Sequence, residues 1–215
     1  ANSNKAVTID STGSKETTLS VKLTGDGGFT YSGDQAITIT GKQNDYQGTS
    51  TIEKGAVNLG ADNALGSKGA LVLTSGTLNL AGFEQRADQL TADGGSQLDL
   101  AGGTLSLKGG KNTIAGTITG DSSSVLNIEQ GSLTVGSNNA DLSAAINLGE
   151  EVIATLANAD GLGRGNLNLL GANKVDINGG GDFANNLTGK DSNNILNMNK
   201  GNINLLGNNS DYAGA

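Results

Sequence analysis

Short runs of apolar, polar and apolar residues recur along this chain. They include Val7-Thr8-Ile9, Ile37-Thr38-Ile39, Val57-Asn58-Leu59, Leu78-Asn79-Leu80, Leu98-Asp99-Leu100 and Leu105-Ser106-Leu107. The series continues through Leu126-Asn127-Ile128, Leu133-Thr134-Val135, Ile146-Asn147-Leu148, Leu167-Asn168-Leu169, Val175-Asp176-Ile177, Leu196-Asn197-Met198 and Ile203-Asn204-Leu205. Alternation with a period of two predicts very short strands, each with two side chains inward and one outward. From 37 to 57, 78 and 98 the steps are 20, 21 and 20 residues; from 105 to 126, 146 and 167 they are 21, 20 and 21. A second triplet often follows seven or eight residues after the first, as at 71 and 78 or 126 and 133.

Three strands therefore fit one coil of 20–21 residues, the third side being the least regular, around Leu90, Ile114 and Ile153. Strands that return once per coil in the same direction pair in parallel with those above and below. The expectation is an all-β, right-handed parallel β-helix spanning residues 1–215 as one unit. About ten coils at about 4.8 Å each would make a rod on the order of 50 Å long.

Composition agrees. Only 35% of residues are apolar and 3% aromatic, Pro is absent, and 35 positions are Gly. Asn, Thr, Gly, Leu and Ile in alternating runs suit strands joined by many turns rather than a disordered chain rich in Pro and charge. A narrow aliphatic column leaves little space for rings, so Phe29, Tyr31, Tyr46, Phe83, Phe183 and Tyr212 are expected as turn plugs or end covers.

Charge narrows the partners. A net charge of −8 with only two arginines, Arg86 and Arg164, argues against nucleic acid and anionic membrane surfaces. Without Cys there is no disulfide framework and no thiolate metal site.

Residues 41–73, "GKQNDYQGTSTIEKGAVNLGADNALGSKGALVL", carry a Gly and Asn turn, a Tyr step, a T-x-I-x-x-G-x-L strand pair and then N-A-L-G. The positions are Gly41, Asn44, Tyr46, Gly48, Thr51, Ile52, Gly55, Val57, Leu59, Asn63, Ala64, Leu65, Gly66, Gly69 and Leu71. A worn copy occupies 138–169 through Asn139, Asp141, Leu142, Ile146, Leu148, Leu156, Leu162, Gly163 and Gly165, and 207–215 opens like a third. This pattern resembles the passenger-associated transport repeat of bacterial autotransporters, above all the self-associating and diffusely adhering adhesins. The resemblance implies an excerpt of a longer passenger, displayed at the surface of a Gram-negative cell and joined to the outer membrane only through a C-terminal barrel outside these residues. It implies cell adhesion, autoaggregation and biofilm formation, with the same protein on neighbouring cells or a host surface protein or glycan as partner. The alternative is a structural stem or secretion scaffold that aids export and folding without specific binding.

Enzymatic chemistry finds little support. No His and no Cys are present, which removes the commonest general base and the thiolate nucleophile. Glu84, Arg86 and Asp88, and the neighbours Glu150 and Glu151, read as solvated turns. The stretch 179–187, "GGGDFANNL", is similar to a single calcium nonapeptide but lacks the tandem copies that would complete an oxygen shell. No cofactor and no metal are expected. The outward polar positions remain as the candidate interaction face: Asn58, Asn79, Asp99, Asn127, Thr134, Asn168, Asp176, Asn197 and Asn204, with Ser106 and Asn147 in the same series. Such side chains in register either bond to one another along the rod or meet another surface through many weak contacts. Glycan binding on a shallow groove is a further possibility, although exposed aromatics are missing.

Overall fold

A computed structural model describes residues 6–13 and 15–215, and the chain winds as a parallel β-solenoid. Ten strand segments stack on the first face: Val7–Ile9, the first parts of Phe29–Ile39 and Ser50–Leu59, Leu71–Leu73, Leu90–Ala92, Lys111–Ile114, Ser132–Val135, Ile153–Leu156, Lys174–Ile177 and Ile195–Met198. Nine parallel pairings join them, so the stack rises about 43 Å at about 4.8 Å each. The second face holds Thr17–Leu19, the later parts of the two long strands, Thr77–Asn79, Gln97–Asp99 and Thr117–Thr119. The third face runs Glu84–Ala87, Thr104–Leu107, Val125–Ile128, Ala145–Leu148, Asn166–Leu169 and Asn186–Thr188.

The register follows the spacing of the triplets. Val57 lies over Leu78 and Leu78 over Leu98 on the second face, while Leu105, Leu126, Ile146, Leu167 and Leu187 stack on the third. All five members of that third-face column are fully buried. Each contributes about 1.5–3 kcal/mol of transfer free energy, so the column needs no single large residue. One step on the first face is short, Leu71 to Leu90, and the next is long, Thr91 to Thr113, so the coils return to phase.

The side expected to be least regular is in fact the longest ladder. Leu90, Ile114 and Ile153 all belong to the first face. Its sequence pattern is blurred because Ser50, Ala92, Asn112 and Ala154 take inward positions that are usually held by Leu, Ile or Val. The irregular side is the second. Above Thr117–Thr119 a turn at 138–141 replaces the strand, followed by a 3-10 helix, Ala159–Leu162, before Gly181–Phe183 and Ile203–Leu205 resume pairing.

The aromatic residues correct a second expectation. Phe29, Tyr31 and Phe183 are fully buried inside the column rather than at turns. Room for the first pair comes from small neighbours: Ser50 stacks directly on Phe29, and Gly33 lies against the Tyr31 ring where a Cβ would come within 2.2 Å of its hydroxyl. Tyr46 does plug a turn, with its hydroxyl 2.7 Å from Ser50 Oγ and burial pushing its pKa above the ordinary 10.0.

Candidate interaction faces

The predicted outward residues divide among three ladders. On the first face the outward row reads Thr8, Thr30, Thr51, Val72, Thr91, Thr113, Thr134, Thr155, Asp176 and Asn197. Thr134 is one member of a threonine row; positions such as Thr51 and Thr113 escape notice because Ser50 and Asn112 stand inward beside them. β-branched side chains pack well against their like on a pleated surface. At the end of the row Asn197 Nδ2 donates to Asp176 Oδ1 at 2.7 Å, and Lys174 Nζ lies 2.9 Å from the same carboxylate. Burial opposes the charge on Asp176, yet hydrogen bonds from Asn197 and Lys174 hold its pKa below the ordinary carboxylate value.

The second face carries Asn58, Asn79 and Asp99 in register between Thr38 and Thr119. Thr119 Oγ1 donates to Asp99 Oδ1 at 2.9 Å, whereas Asn79 Oδ1 turns aside to accept the Ala81 amide at 2.8 Å. Asn204 belongs to the same side but above the 3-10 helix, donating to Asp182 Oδ1 at 2.7 Å. The structure therefore does not join Asn204 to the lower row.

The third face is the most ordered. Asn127 donates to Ser106 Oγ at 3.0 Å, Asn147 to Asn127 Oδ1 at 2.7 Å, Asn168 to Asn147 Oδ1 at 2.6 Å and Thr188 to Asn168 Oδ1 at 2.9 Å. All four bonds point toward the N-terminal end, so their dipoles add and each strengthens the next. Beside this ladder runs a corner with two notches. Gly149, between Glu129 and Leu170, opens one of about 360 Å³; Gly171 and Gly189, beyond Leu170, open another of about 560 Å³. Arg86 bridges two coils to Glu129 at 2.5 Å, so Arg86 supplies one wall of the first notch. Glu150 and Glu151 line a separate notch of about 640 Å³ with Gln130 and Gly131. Gly179–Leu187 runs through a strand and a turn, and among the described residues no group of three or more His, Cys, Asp or Glu is placed to hold a metal ion.

The recurring sequence has a structural meaning that its spacing alone does not reveal. Asn44 accepts the Leu23 amide from the coil below and donates to the Ala64 carbonyl of the coil above, both at 2.6 Å. Asn139 does the same with the Ile118 amide at 2.9 Å and the Gly161 carbonyl at 2.8 Å. In the third copy Asn209 accepts the Leu187 amide at 3.1 Å. The upper halves match as well: Asn63 and Asp160 accept the amides of Arg86 and Asp182, and Gly66 and Gly163 turn with φ of 68° and 69°. Yet the first copy places Asn44 on the third face and the second places Asn139 on the second face, so the motif is a local clamp across coils rather than a marker of one side.

A threefold ladder of short polar side chains on a solenoid rod, with built notches along one corner, defines the class of protein in structural terms. Over 177 residues, 80% of the chain, it is similar at 30% identity to the uncharacterized lipoprotein YdeK of Escherichia coli K12. Over 156 residues, 71% of the chain, it is 27% identical to the uncharacterized protein YuaQ of the same organism. The chain spans 13% and 11% of the lengths of these relatives. No family model and no solved structure matches it.

Proposed function

We propose that this rod is part of a surface-displayed adhesin passenger that mediates cell adhesion, autoaggregation and biofilm formation through its polar faces. The observation that carries the reading is the set of outward ladders: short amides and hydroxyls held in register on a rigid stack, ready for many small contacts that sum through multivalency. A relative named as a lipoprotein supports a place in the cell envelope, and the autotransporter-like repeat supports outer-membrane display. The chain acts without catalysis in this reading, binding a second copy on a neighbouring cell or a host surface protein or glycan.

The coil clamps favour a second reading, a stem or secretion scaffold. Each ties three successive coils through one buried amide, which would help a folding front to advance coil by coil. The two readings separate in cells that display the full-length protein. Thr134→Lys, Asn79→Lys and Asn147→Lys place one charge on each face in turn, and display is scored separately from clumping and attachment. The adhesin reading expects at least one variant to keep display while clumping or attachment falls. A parent that neither clumps nor attaches, or three variants that behave like a binding parent, overturns it in favour of the scaffold.

A further inference from the structure

The geometry points to the notched corner of the third face as a binding strip for a neutral, linear oligosaccharide lying along the rod axis, an assignment that rests on the adhesin reading and names its ligand. The notches are imposed by packing. A Cβ at Gly149 would lie 2.1 Å from the Glu129 carbonyl oxygen, one at Gly171 2.8 Å from Glu150 Cα, and one at Gly189 2.7 Å from Asn194 Nδ2. At Gly149 and Gly171 the obstacle is backbone, so no larger residue fits and those floors belong to the fold; at Gly189 it is the end of the Asn194 side chain.

The lining matches hydroxyl chemistry. A side-chain amide has two N–H donors and two acceptor lone pairs. Asn147 uses one N–H on Asn127 and one lone pair on Asn168, and Asn127 is used likewise by Ser106 and Asn147. Each therefore keeps one donor and one acceptor beside the notch, the pair that a vicinal diol needs. These pairs recur once per coil, about every 4.8 Å, on a scale similar to one pyranose ring of an extended glycan. Leu170 stands between the notches, 68% exposed, as an apolar ridge for the C–H face of a sugar. It does for this surface what an aromatic ring does in other sugar sites, which is why a search for exposed aromatics passes over it.

Charge selects a neutral ligand. Arg86 is already paired with Glu129, and the second notch sets Lys190 against Asp191 and Asp211. With a net charge of −8 on the whole chain, a sulfated or uronic glycan meets repulsion.

The test titrates the full chain, with its Asn side-chain amides observed by NMR, with cellohexaose, chitohexaose and a heparin hexasaccharide. Expected is saturable binding of a neutral hexasaccharide, with shifts at Asn127 and Asn147, weakened at least tenfold by Leu170→Ala and left unchanged by Thr134→Ala on the opposite ladder. Asn147→Ala gives a second reading at the site, with its thermal melt compared to the parent. Absence of saturable binding by both neutral probes, equal affinity in the Leu170→Ala and Asn147→Ala variants, or tighter binding of heparin overturns the assignment. Clumping cells whose protein ignores all three probes would sink the strip while leaving the adhesin reading intact. Neutral-glycan binding without clumping would retain the strip and remove self-association.

Discussion

Asn112 occupies an inward position in the first-face column, between Leu90 below and Leu133 above, and is fully buried. Hydrophobic periodicity alone would place Leu there, so Asn112→Leu tests whether continuity of the aliphatic column or satisfaction of the backbone wins. The substitution gains about 1.5–3 kcal/mol from burying an apolar side chain. It also removes the acceptor of the Leu90 amide, now 2.9 Å from Asn112 Oδ1, and the donor to the Ser132 carbonyl at 3.1 Å. A buried N–H left unpaired costs about 1–3 kcal/mol. Because methyl groups cannot approach N or O as closely as a hydrogen-bond partner can, overpacking adds about 1–3 kcal/mol. The expected balance is a loss of about 2 kcal/mol, felt across the coils from Leu90 to Ser132. Native-state hydrogen exchange reads it directly: the Leu90 amide should exchange about 30-fold faster, and the denaturant midpoint should fall. A variant as stable as the parent, with the Leu90 amide equally protected, would refute the reasoning and show that the column tolerates an orphaned donor.

Asn139→Ala should cost about 2–4 kcal/mol by unpairing the Ile118 amide and the Gly161 carbonyl, with Asn44→Ala acting in the same sense on the Leu23 amide; equal exchange rates at both amides would deny the clamp. Gly69→Ala drives a Cβ to within 1.9 Å of the Gly48 carbonyl oxygen and should destabilise by about 2–3 kcal/mol in urea. Gly82→Asn, at a left-handed φ of +86° with open space, should cost only about 1 kcal/mol, and a reversed order would contradict the packing argument. Burial raises the Tyr46 pKa above 10.0, so the folded chain holds that proton where the unfolded chain releases it. Stability from this group is complete below pH 10 and is lost as pH rises further. Tyr46→Phe should flatten the alkaline slope of a denaturation series above about pH 10, and an unchanged slope would remove Tyr46 as its source.

The sequence by itself determined the period, the strand class and the parallel stacking, because two inward aliphatics per strand repeated every 20 or 21 residues can be buried together only by winding. It also marked Asn44 and Asn139 as equivalent, since the clamp is a local arrangement that travels with its own residues. Tertiary structure decided which face each residue joins. Triplets alike in sequence sit seven or eight residues apart and fall on different sides of the coil, so their outward residues were distributed over three ladders, and Thr134 proved to belong to a threonine row. Only stacking could place Asn112 inside, because a polar residue may enter a column when the coils above and below offer backbone partners, and those partners lie about twenty residues away along the chain. The floors at Gly149 and Gly171 are likewise products of neighbouring coils: a glycine reads as a turn until the backbone packed against it shows that nothing larger fits.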